Sequence, residues 1–116
     1  MTTTIYGIPN CDTVRKARRF LDQHGVDYDF HDVREQPLHA ETLTAWLQKV
    51  DRDTLINKRS TSWRQLNDDE QQLADNGVAI ELLQRYPTLM KRPVLSSADH
   101  LLVGFKEAQW QQVLGL

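Results

Sequence analysis

Ile5-Tyr6-Gly7-Ile8-Pro9-Asn10-Cys11-Asp12-Thr13-Val14-Arg15-Lys16-Ala17 is the stretch on which the fold turns, and it carries the single cysteine of the chain. Upstream, Thr4-Ile5-Tyr6 reads as a short strand. Gly7, Pro9 and Asn10 then break regular structure, because glycine permits unusual dihedrals, proline fixes φ and asparagine tolerates turns. Downstream, Val14, Ala17 and Leu21 recur at i, i+3 and i+7 with Phe20 beside them, the spacing of a helix face. Gly25 closes that helix in the C′ position. Cys11 is therefore expected where a strand turns into a helix, over the first free N–H groups.

Those N–H groups carry partial positive charge, which favours a thiolate over a thiol. Arg15, one turn on, and Lys16 near the same face add to it, while the Asp12 carboxylate opposes it. The balance predicts a thiol more acidic than the ~8.5 of a free cysteine. The competing reading is a small buried hydrophobe, a common fate of a lone cysteine.

The 116 residues suffice for one domain with a single hydrophobic core. A formal net charge of -2 supplies no basic field for bulk nucleic-acid binding. One cysteine allows no intramolecular disulfide, which suits a reducing compartment. Met1-Thr2-Thr3-Thr4 lacks the apolar run of a signal peptide, and no segment approaches the ~18 apolar residues of a membrane span. A cytoplasmic, soluble chain is expected.

Beyond Gly25, Val26, Tyr28 and Phe30 alternate with Asp27, Asp29 and His31, a period of two that marks a half-buried strand. Strand, helix and strand within about thirty residues predict a parallel pair with a right-handed crossover. Leu43, Trp46, Leu47 and Val50 predict an amphipathic helix over roughly residues 40–50. Residues 51–90 read as a mostly helical insertion. Within it Asn67 and Glu70 have the spacing of a capping box, the helix they open stops near Asp75-Asn76-Gly77, and a further helix turns Ile80, Leu83 and Tyr86 inward before Pro87. Residues 94–103 predict an antiparallel hairpin turning at Ser96-Ser97-Ala98-Asp99. Lys106 to Leu114, with Trp110, Val113 and Leu114 on one face, predicts a closing helix. The sum is an α/β chain of order βαβ, helical insertion, ββα, the thioredoxin-like arrangement with a mixed four-stranded sheet. In such a fold Pro93, which enters the third strand, is the cis proline facing the active thiol.

Two-cysteine redox chemistry is excluded, since the place three residues beyond Cys11 is Val14. An external thiol must then resolve any mixed disulfide, and glutathione is the obvious cytosolic candidate. His24, His31, His39 and His100 have no ligand spacing with Cys11 or one another, so no metal site is expected. Nothing local orients a histidine toward the thiol for hydrolysis. Arg59 and Arg92 are the cationic candidates, because a guanidinium beside the thiol can hold a carboxylate or oxyanion bidentately; the alternative for each is an ordinary surface residue.

The Cys11 stretch, together with Asn57-Lys58-Arg59-Ser60-Thr61-Ser62-Trp63-Arg64 and Lys91-Arg92-Pro93-Val94-Leu95, resembles the three blocks of the ArsC/Spx family, in order and over nearly the whole chain. The branch suggested is the YffB-like group of single-cysteine members, regarded as glutathione-dependent thiol reductases. The resemblance implies that Cys11 is the nucleophile and that Arg59 and Arg92 correspond to two of the three arginines that embrace arsenate in glutaredoxin-linked arsenate reductases. At the third place Lys106 stands in, giving charge without the planar fork. Asn10, Thr13, Arg15 and Lys16 are assigned to stabilising the thiolate.

The implied activity is reduction of disulfides with glutathione as co-substrate and no tightly bound cofactor. Glutathione, or a glutathionylated or disulfide substrate, is the expected partner, with glutaredoxin a further candidate. Neither nucleic acid nor membrane is expected, and the chain is expected to act as a monomer. The alternatives are a glutaredoxin-coupled arsenate reductase and a non-catalytic regulator that, like the Spx proteins, binds RNA polymerase. Many Spx proteins carry a CxxC switch, which Val14 removes here.

Overall fold

The structure, a computed structural model, describes residues 3–75 and 79–116. The chain divides into two compact units, one made of the chain up to Val33 together with Arg92–Leu116, the other of Arg34–Lys91.

The first unit is built on strands β1 (Thr3–Gly7), β2 (Asp29–Asp32), β3 (Val94–Ser97) and β4 (His100–Val103), with helices α1 (Asp12–Gln23) and α7 (Glu107–Leu114). The sheet order is β2-β1-β3-β4, with β1 parallel to β2 and the other neighbours antiparallel. This is the expected mixed four-stranded, thioredoxin-like sheet. Register explains the core. Ile5 pairs with Phe30 and with Leu95, and Leu95 pairs with Leu102, so four apolar side chains form one row across one face. Ala17, Phe20 and Leu21 of α1 and Trp110 of α7 pack onto that row. Trp110 has no exposed surface, and at about 25 cal/mol for each Å² of apolar area removed from water, an aromatic body of its size contributes several kcal/mol to the core.

α1 ends as the sequence suggests. Gly25 has φ +67, its N–H donates to the Asp22 carbonyl at 3.2 Å, and that of Val26 donates to the Leu21 carbonyl at 3.0 Å. Both bonds belong to a left-handed glycine cap. This cap also shifts the second strand: with its N–H held by Leu21, Val26 cannot join the ladder, and β2 begins only at Asp29. Gly7 departs from expectation more sharply. It takes no left-handed dihedral; instead a Cβ there would lie 2.8 Å from Cγ2 of Val14, so its role is close approach. The hairpin turns at Ala98-Asp99, with Ala98 at φ +51.

The second unit holds α2 (Ala40–Lys49), α3 (Arg52–Leu55), α4 (Thr61–Arg64), α5 (Asp68–Asp75), α6 (Ala79–Arg85) and a 3-10 turn over Pro87–Leu89. It takes in the helical stretch expected over 51–90 and also the helix before it. The capping box is formed reciprocally: the Glu70 N–H donates to Asn67 Oδ1 at 2.8 Å, and the Asn67 N–H donates to Glu70 Oε1 at 3.2 Å. The stop expected at Asn76 and Gly77 lies outside the described residues. In α6, Ala79, Leu82 and Leu83 are buried and Ile80 is only half-buried, so Leu82 takes the inward place assigned to Ile80. Tyr86 is half-buried, and its hydroxyl donates to Glu70 Oε2 at 3.1 Å. An isolated bridge pairs Ile56 with Met90, and the Lys91 N–H donates to the Leu55 carbonyl at 2.7 Å.

Candidate active site

β1 stops at Gly7, and Ile8-Pro9-Asn10-Cys11 make a turn closed by the Cys11 N–H on the Ile8 carbonyl at 3.4 Å. Pro9 and Asn10 lie exposed at its centre. Cys11 is the N-cap of α1, with φ -97 and ψ 126, and its carbonyl accepts the first helical bond from the Arg15 N–H at 3.0 Å. The N–H groups of Asp12, Thr13 and Val14 precede that bond and have no acceptor within the helix. A serine or aspartate at this place would cap them with an oxygen; the Cys11 side chain makes no capping hydrogen bond. Cys11 is partly exposed, so the reading of it as a fully buried hydrophobe does not hold.

The residues assigned to the thiolate divide. Arg15 turns its guanidinium onto its own loop: Nη1 lies 3.0 Å from Asp12 Oδ1, and Nε donates to the Pro9 carbonyl at 3.3 Å. It braces the turn and offsets the Asp12 carboxylate, an exposed pair worth at most about 1 kcal/mol. Asn10, Thr13 and Lys16 are exposed around the start of α1.

The sheet register gathers the other candidates of this unit. Tyr6 pairs with Val94 and Val94 with Val103, while the Gly104 N–H donates to the Pro93 carbonyl at 2.8 Å. The Cys11 turn, the Arg92-Pro93 dipeptide and the Gly104–Lys106 segment therefore leave the same end of the sheet. The Arg92–Pro93 bond is cis, Pro93 is buried and Arg92 is half-buried. Lys106 is exposed and is the N-cap of α7. Both α1 and α7 thus start at this end, each presenting the positive end of its dipole.

Arg59 belongs to the second unit. It is exposed in a turn whose geometry is set by its N–H on Asn57 Oδ1 at 3.1 Å. Ser60 follows as the N-cap of α4, its Oγ accepting from the Trp63 N–H at 3.1 Å. Lys58 pairs with Asp53 at 3.2 Å and sits 5.4 Å from the centre of the Trp63 ring.

Sequence reading missed one pair beside the Cys11 turn. Tyr6 is the cross-strand partner of His31, their rings 5.0 Å apart, on the sheet face opposite the apolar row. Burial pushes the Tyr6 phenol up from the ordinary tyrosine value. The only signal in the chain was that both residues occupy the outward phase of their strands. Among the described residues no group of three or more His, Cys, Asp or Glu side chains is placed to hold a metal ion, and no helix is long and apolar enough to cross a membrane.

Comparison with known proteins agrees with this architecture. The sequence model of the ArsC family matches residues 6–113. The structure called the YFFB protein is 39% identical, covers 97% of this chain and 99% of its own, and superposes with a TM-score of 0.92. The solution structure of an arsenate reductase (ArsC) related protein from Brucella melitensis is 45% identical, with a TM-score of 0.76 over 100% of this chain and 97% of its own. Relatives also include the global transcriptional regulator Spx of Streptococcus pyogenes, 31% identical over 90% of this chain and 78% of its own length.

Proposed function

The chain belongs to the ArsC family, and on that premise we propose that it is a glutathione-dependent thiol-disulfide reductase working through Cys11 alone. The observation that carries the reading is the placement of a partly exposed cysteine as an uncapped N-cap of α1. The helix N-terminus favours the thiolate, which is the attacking species.

The Cys11 sulfur attacks the glutathione sulfur of a glutathionylated thiol. A Cys11–glutathione disulfide forms, and the substrate leaves as thiolate and takes a proton from solvent. A second glutathione thiolate attacks the mixed disulfide, releasing oxidised glutathione and regenerating Cys11. Two glutathione sulfurs end joined to each other, and one substrate sulfur is reduced. Arg92 holds an anionic group of glutathione, Lys106 adds charge at the start of α7, and Arg59 is assigned the same role by its place in the family motif. Glutathione is a co-substrate, no bound cofactor takes part, and the reaction belongs in the cytoplasm with the chain acting as a monomer. The test is turnover of a glutathionylated peptide by purified protein with reduced glutathione, with mass spectrometry for a glutathione adduct on Cys11. Turnover lost in Cys11→Ser supports the reading; no adduct and no turnover rejects it.

Arsenate reduction is the second reading, favoured by the likeness to the Brucella melitensis protein. Against it stands Lys106, whose ammonium cannot clasp an oxyanion with a planar fork. Turnover of arsenate only when glutaredoxin is added would place this reading first. A regulatory role like that named for Spx would instead leave binding to transcription proteins intact in Cys11→Ser.

A further inference from the structure

Trp110 is the largest fully buried side chain of the first unit, yet its indole N–H is not idle. Nε1 donates to the Gly104 carbonyl at 3.2 Å, and the Gly104 N–H donates to the Pro93 carbonyl at 2.8 Å. Gly104 can face both ways because it takes φ +82, a conformation that side-chain-bearing residues adopt at a cost. The Trp110 backbone N–H also donates to the Lys106 carbonyl at 3.0 Å, forming the first turn of α7. The indole itself is held by edge contacts, 4.9 Å from Phe105 and 6.5 Å from Phe20 between ring centres. The indole is therefore hydrogen-bonded to the segment that leads from β4 into α7 and, through Gly104, to Pro93, next to Arg92.

From this geometry we infer that Trp110 is a positioning residue: through Gly104 its indole fixes the Arg92-Pro93 segment, so that Arg92 is preset for an anionic thiol. The inference rests on the anion-binding roles proposed above. An apolar ring of similar size in its place keeps the core filled but leaves the half-buried Gly104 carbonyl without its indole donor, which loosens the strap that runs from Trp110 through Gly104 to Pro93.

Trp110→Phe and Leu114→Ala are compared with the wild type, the second as a control that weakens the same core while keeping the indole. In ligand-free protein Trp110→Phe speeds amide hydrogen exchange at Gly104 roughly fivefold, as loss of about 1 kcal/mol of local protection requires. It also shifts the Arg92 Nε–H resonance, and Leu114→Ala does neither. In glutathione turnover the KM for glutathione rises several-fold in Trp110→Phe with kcat unchanged. Unchanged Gly104 exchange, an unmoved Arg92 resonance, an equal effect in Leu114→Ala, or a fall in kcat alone overturns the inference. If the wild type does not turn over glutathionylated peptide, the proposed function falls by itself, and the exchange and Arg92 data still decide the strap.

Discussion

A Cβ on Gly7 would stand 2.8 Å from Cγ2 of Val14, a residue with no exposed surface in the first turn of α1. The end of β1 and the start of α1 are thus in backbone-to-side-chain contact, and the turn that carries Cys11 spans the gap. Gly7→Ala must push helix from strand or force Val14 off its rotamer. The expected loss is about 1–3 kcal/mol, measured by denaturant unfolding, with a changed alkylation rate at Cys11 because its cap geometry moves with the helix.

Cys11→Ser should separate stability from activity. Serine is among the best N-cap residues, whereas Cys11 makes no capping bond. The variant is expected to gain roughly 0.5–1 kcal/mol in unfolding free energy while losing all turnover of glutathionylated peptide. A loss of stability together with activity would mean that the thiol is held in the fold by contacts other than the helix terminus.

Arg92 is given a binding role, and kinetics can isolate it. Arg92→Ala is expected to raise the KM for glutathione about tenfold or more with kcat little changed, and Arg92→Lys to recover only part of that loss. A fall in kcat alone would move Arg92 from holding the anion to acting in the chemical step.

Tyr6 predicts an alkaline signature. Its phenol is raised by burial above its unfolded value, so the folded chain keeps that proton at a pH where the unfolded chain has released it. Unfolding free energy is therefore level below the ordinary tyrosine value of about 10 and falls as pH rises from there through the folded value. Tyr6→Phe should remove this part of the alkaline fall, read as a difference between the two proteins' stability–pH curves. An identical slope in both would show that the phenol is not held protonated by the fold.

What depends on near neighbours along the chain was legible in the residues alone. The helical stripe of Val14, Ala17, Phe20 and Leu21, the Gly25 cap, the Asn67–Glu70 box and the 94–103 hairpin are all short-range patterns, and each formed as its spacing requires. So did the place of Cys11, since a strand, a turn of Pro9 and Asn10 and a helix leave it one position. Tertiary structure decided the rest. That Gly7 is needed for room rather than for dihedral freedom depends on the angle at which α1 meets β1. Arg15 turns to Asp12, its i,i+3 neighbour on α1, and to the Pro9 carbonyl, which is a local choice that the turn geometry settles. The bond from Trp110 to Gly104, and from Gly104 to Pro93, exists only once α7 has docked and β3 has paired with β4. The Gly7 and Trp110 contacts are set by packing between elements, and the periods of a single chain do not encode them.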